Sequence, residues 1–100
     1  MLPLLLAAPD DIARSLAQRV RERRLAINLT QTGLARRSGV TLASLKRFER
    51  TGAVSLESLI RLALALDVAD DFLPLFAPRP VQSLDALIAQ PVTRRRGART

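Results

Sequence analysis

The sequence predicts an all-α fold, a compact five-helix domain followed by a short basic C-terminal tail. Three observations carry that expectation. Apolar residues recur every three or four positions in successive stretches, capping residues such as Thr30, Thr41 and Ser55 stand just ahead of them, and Asn28 and Gly39 stand where two of them stop.

From Asp10 onward, Ile12, Ala13, Leu16, Ala17 and Val20 recur at helical spacing while Arg14, Gln18, Arg21 and Glu22 take the other face. Pro9, Asp10 and Asp11 suit the start of this first helix, because carboxylates are favourable at the positive end of the helix dipole. Asn28, a residue that tolerates the left-handed region, ends it near Ala26. Thr30 is an N-cap for a second helix, Gln31 to Ser38, with Leu34 and the small Ala35 turned inward. Gly33 inside that helix costs roughly 0.5–1 kcal/mol relative to alanine, which tertiary packing must offset. Gly39 stands just past the last turn, where a left-handed residue redirects the chain. Thr41 then caps a third helix, Leu42 to about Arg50, with Leu45 and Phe48 facing inward.

Thr51, Gly52 and Ala53 read as a loop, and Ser55 caps a fourth helix with an apolar stripe of Leu56, Leu59, Ile60, Ala63 and Leu66. Leu62 and Leu64 fall outside that stripe, either as scattered surface apolars or as a wall for a partner subunit. Asp67 to Asp70 is a turn, and Asp71 to Phe76 is expected to form a short fifth helix in which Phe72, Leu73 and Phe76 close the core. Pro78, Arg79 and Pro80 make a stiff linker, Ser83 caps one last short turn, Leu84 to Ala89, and Pro91 ends it. The remainder, TRRRGART, lacks the apolar residues a core needs and is expected to stay disordered until it meets an anion. The organisation is thus an arm over 1–9, a domain over 10–77, and a linker, short helical turn and basic tail over 78–100.

Composition narrows the function. One hundred residues suffice for one small domain, and a helical domain of this size buries an adequate core unaided by metals or disulfides. The chain has no cysteine and no histidine, which removes thiolate chemistry, disulfides, the commonest general base and the commonest transition-metal ligands. No enzyme, cofactor or metal is expected. Asp70 and Asp71, adjacent acids at a helix start, read as a capping pair and not as a catalytic dyad. The formal charge of +7 and a sequence pI near 11.7 favour a polyanionic partner. More than half of that charge comes from Arg94, Arg95, Arg96 and Arg99, which have no acid beside them. No apolar run approaches the roughly 20 residues a membrane span takes. The start, MLPLLLAAPD, lacks a basic n-region and is broken by Pro3 and Pro9, so it reads as an arm packing on the domain or on a second subunit, or as a disordered start, and the chain is expected in the cytoplasm.

The stretch Thr30 to Arg50, TQTGLARRSGVTLASLKRFER, organises the rest. Two short helices crossing at about 90–120° need a small residue where their backbones approach and an unhindered one at the bend. Ala35 and Gly39 meet those needs. With Thr30, Gln31, Leu34, Ala35, Gly39 and Val40 in this order, and Glu49 three residues before Gly52, the sequence resembles the helix-turn-helix family of phage lambda repressor, Cro and the Xre-type regulators. The resemblance runs from about Leu16 to Leu75 and implies a lambda-repressor-like five-helix domain whose second motif helix lies in the major groove of double-stranded DNA.

Carried over by position, it makes Thr41, Leu42, Ala43, Ser44 and Arg47 the groove-facing set, places Gln31 on the phosphate backbone, and pairs Glu49 with Arg24 as a structural ion pair. Many relatives have a polar side chain where this chain has Leu42 and Ala43, so apolar contact with thymine methyl groups replaces hydrogen-bonded readout there. Arg47 is the best candidate for a bidentate contact to guanine, and Lys46 beside it suits either a base or a phosphate. The plain alternative for both is a solvated helix face. Arg36, Arg37 and Arg50 suit sequence-independent phosphate contacts.

The resemblance implies a sequence-specific repressor acting as a homodimer on its operator. The short chain and the SLDALIAQP segment before the arginine tail further resemble HipB-like antitoxins, which repress their own operon and bind a HipA-like kinase toxin. The alternatives are a stand-alone phage-type Xre repressor, or a protein-interaction module that neutralises a partner without binding DNA. The arginine tail suits the DNA backbone, an acidic patch on a partner, or simple solubility.

Overall fold

The structure, a computed structural model, describes residues 8–80. These contain four α-helices, α1 (Pro9–Ala26), α2 (Gln31–Ser38), α3 (Leu42–Thr51) and α4 (Leu56–Ala65), then a single 3-10 turn, Ala69–Phe72. The expected arm before Ala8, the turn from Leu84 to Ala89 and the arginine tail lie outside the described residues.

Local chemistry sets each boundary. Pro9 takes the first position of α1, where its missing N–H is no loss, and the Ala8 N–H donates to the Asp11 carboxylate at 3.1 Å. Asn28 closes α1 with a φ of 57°. Thr30, Thr41 and Ser55 cap α2, α3 and α4, each side-chain oxygen accepting from the backbone N–H three residues on. Gly39 and Gly52 end α2 and α3 in the left-handed region, at φ values of 77° and 85°.

The core joins Ala17, Leu34, Val40, Leu45, Phe48, Leu62 and Leu66, with α1 packed on α3 and α2 packed on both α3 and α4. Phe48, Leu34, Leu45 and Leu62 are fully buried. Burying a side chain of this size stabilises by about 1.5–3 kcal/mol, so these four fix how the helices pack. Small residues let α1 and α3 approach. A Cβ on the buried Gly52 would stand 2.8 Å from the carbonyl carbon of Ala13. Gly33 has a packing reason too: its Cβ would meet a Leu29 methyl at 2.9 Å.

Three expectations need correction. Asp71 to Phe76 is not a fifth α-helix. Pro74 has no N–H to carry an α-helical ladder, and the segment closes through tighter bonds, Leu73 N–H to the Asp70 carbonyl and Leu75 N–H to the Phe72 carbonyl. Phe72 is only half-buried, while Leu73 is 82% and Phe76 101% exposed, so this segment does not close the core.

On α4 the inward face is Leu59, Leu62, Ala63 and Leu66, and Leu62 is wholly buried where a surface position was expected. Leu56 and Ile60 face out instead, joined by Leu64. Seven of the ten residues of α4 are apolar, so two stripes fit the periodicity and only packing selects one. On α1, Ile12 and Leu16 are exposed flanks of a face made by Ala13, Ala17, Val20 and Arg24.

Candidate nucleic-acid interface

The bend between α2 and α3 is built by hydrogen bonds that need no large side chain. Ser38, buried at the end of α2, accepts from the Val40 N–H at 3.1 Å and donates to the Ala35 carbonyl at 3.3 Å. Gly39 then turns the chain, and Val40 drops into the core. Composition gave no hint of the Ser38 role; its place as the last residue of α2, before a glycine, is the only signal.

On α3 the inward and outward faces separate cleanly. Leu45 and Phe48 are fully buried, whereas Ala43, Lys46, Arg47 and Arg50 are exposed. Ala43, Arg47 and Arg50 stand at i, i+4 and i+7 and so line one edge of the helix, with Lys46 on its flank. Leu42 is half-buried, so only part of its side chain is open to solvent.

Thr41 and Ser44 are occupied locally. The Thr41 hydroxyl accepts from the Ser44 N–H at 3.1 Å and donates to the Ser44 hydroxyl at 2.9 Å. Ser44 retains its own donor, while the Thr41 donor is spent on the Ser44 hydroxyl. Ser44 and Arg47 also border a concavity of about 370 Å³, shared with Ala53, Val54, Ser55 and Ser58 at the start of α4.

Arg36 and Arg37 are both exposed in the last turn of α2. Being consecutive, they diverge by about 100° around the axis and do not share one edge. Arg61 of α4, which no capping or apolar pattern marks in the sequence, reaches the bend. Its guanidinium pairs with Glu57 at 2.9 Å, and a Cβ on Gly39 would come within 3.3 Å of its Nη1 atom. That exposed pair adds little to stability.

Behind α3 lies a polar cluster. Arg24 of α1 grips Glu49 of α3 with two parallel bonds, Nε to Oε2 at 2.8 Å and Nη2 to Oε1 at 2.9 Å. Its Nη1 donates to the Leu29 carbonyl at 2.9 Å. Both side chains are sealed from water, at 8% and 5% exposed. Gln31 joins the same cluster, its Nε2 donating to Glu49 Oε1 at 3.0 Å.

A family model described as helix-turn-helix matches residues 20–73, from within α1 to just past the 3-10 turn. The chain belongs to the helix-turn-helix family. Its type is that of the Xre and lambda-repressor regulators, and the helix-turn-helix domain is that of a DNA-binding transcription regulator. No curated protein matches the chain. Among the described residues no helix is long and apolar enough to cross a membrane.

Proposed function

We propose that this helix-turn-helix chain is a sequence-specific repressor whose α3 enters the major groove and whose operator is read by a homodimer. The observation that carries the reading is the division of α3: Leu45 and Phe48 anchor its rear in the core, while Arg47, Lys46 and Arg50 stand exposed on the opposite side. Arg47 takes guanine by two parallel bonds, and Ala43 meets a thymine methyl group. Arg50, Arg36, Arg37 and Lys46 supply phosphate contacts that set affinity without reading sequence. The homodimer is supported by Leu56, Ile60 and Leu64, exposed at four-residue intervals along α4, a stripe that a second copy would cover.

Selection from a pool of random duplexes tests this reading. The expected winners carry two related half-sites about one helical turn apart. A pool that shows no enrichment favours the second reading, a protein-interaction module, for which the exposed Leu56, Leu64, Leu73 and Phe76 speak.

The narrower proposal is an antitoxin that represses its own operon and binds a HipA-like kinase. It rests on the SLDALIAQP segment and the arginines Arg94, Arg95, Arg96 and Arg99 that follow it. A kinase-like reading frame beside the gene, whose product co-purifies with this chain, would support it, and a phage neighbourhood would favour a stand-alone repressor.

A further inference from the structure

We propose that in the free chain the segment from Leu84 to Arg96 folds back onto the exposed apolar patch of Leu73, Leu75 and Phe76, its arginines against Asp67, Asp70 and Asp71. Leu73 is 82%, Leu75 54% and Phe76 101% exposed, three large side chains within four residues. A concentration of this kind on a small domain marks a contact surface. Phe76 also holds a φ of 58°, a conformation that bulky residues rarely adopt unless their surroundings fix it. Among the described residues nothing covers its ring.

Charge points to the occupant. In a chain of net charge +7, no lysine or arginine stands between Arg61 and Arg79, so the three aspartates leave this end of the domain negative. All three are exposed, and neither ion pair among the described residues uses them. The order of the sequence then supplies the match. From Asp67 it runs acid, apolar, linker, apolar, base: the aspartates, Leu73 to Phe76, the prolines Pro78 and Pro80, then Leu84, Leu87 and Ile88, then Arg94, Arg95 and Arg96. Folded once at the linker, the chain lays apolar residues on apolar ones and arginines on carboxylates. Leu84, Leu87 and Ile88 stand at i, i+3 and i+4, the spacing of one helical face, and Asp85 falls off that face.

Reach and tether favour the chain's own segment over a separate molecule. Residues 77–83 make the connection, within the about 2–8 residues that ordinarily join neighbouring helical segments. From Ile88 to Arg94 the chain extends about 20 Å, and the tightly wound run from Phe76 back to Asp70 is shorter. A short tether gives an effective concentration on the order of 1 mM, so a contact too weak to recruit a free partner is still made. The contact needs no DNA and belongs to the free chain. A duplex carries a negative charge about every 1.7 Å, far denser than three carboxylates, and can draw the arginines away.

Because the chain has no cysteine, Thr93→Cys places a single nitroxide label on the full-length protein. In its nuclear magnetic resonance spectrum the amide signals of residues 67–77 should lose intensity, and those of α3, which packs on α1 and α2, should not. Leu73→Ser with Phe76→Ser, at positions the core does not use, should restore the intensity, and so should Leu87→Ser with Ile88→Ser. Replacing the three aspartates by asparagine, or raising the salt, should restore it in part, since exposed charges are screened and apolar contacts are not. A loss spread evenly over the chain, or one that survives both serine pairs, would overturn the proposal. Isotope-labelled wild type mixed with isotope-free, spin-labelled Thr93→Cys should show no loss. A loss confined to residues 67–77 in that mixture would assign the patch to a second copy and overturn the fold-back.

Discussion

Arg47 and Glu49, two residues apart on α3, play opposite parts. Arg47 is exposed and carries the proposed base readout, so Arg47→Ala should lose about 1–3 kcal/mol of discrimination between the selected duplex and a mismatched one. Its melting temperature should match wild type, and competition binding with a melting curve checks both halves. Glu49 is the reverse case. With side chains 5% and 8% exposed, Glu49→Ala strands the Arg24 guanidinium away from water, and breaking a buried pair in this way costs about 3–5 kcal/mol. Urea denaturation should show a midpoint far below wild type, a large fraction of what so small a domain possesses. A loss under 1 kcal/mol, on the order of an exposed pair, would mean that water reaches the site.

The glycines give the elements a ranked test. Gly39→Ala places a Cβ in the left-handed region, at a cost of about 1–2 kcal/mol. Gly52→Ala should cost more, since it adds a collision at 2.8 Å with the backbone of Ala13 to the same conformational strain. Gly33→Ala should cost least: its φ is helical, alanine favours the helix, and the atom in the way is the flexible end of Leu29. Thermal melts of the three variants check the order. The same logic explains which elements could be read in advance. Thr30, Thr41 and Ser55 act through a side-chain oxygen on the N–H three residues on, and Asn28 and Gly39 through their own backbone, so the starts and stops they mark stand where sequence places them. The inward face of α4 and the fate of Phe76 depend on what lies across from them. A helix apolar at seven of its ten positions, and a segment interrupted by Pro74, carry too little periodicity to decide that. In the site, the edge of α3 follows from spacing alone, while the Gln31 bond to Glu49 joins positions 18 residues apart and has no local signature.

For the whole molecule, charge and assembly are the measurable quantities. Deleting residues 93–100 removes four arginines, so DNA binding should weaken by similar factors across sequences and the salt slope should flatten. An unchanged slope would take the tail out of the interface. Ile60→Glu puts a carboxylate in the middle of the exposed α4 stripe, and sedimentation should then report a single copy where wild type reports two; a dimer that survives lies elsewhere on the surface.

Dissolved electrolyte should treat the two sets of charges differently. The arginines proposed to meet DNA stand in solvent and lose their hold as ions crowd in, whereas the guanidinium and carboxylate behind α3 are shielded from those ions by the chain itself. A salt gradient over immobilised duplex should therefore release the protein natively folded, ready to bind again after desalting.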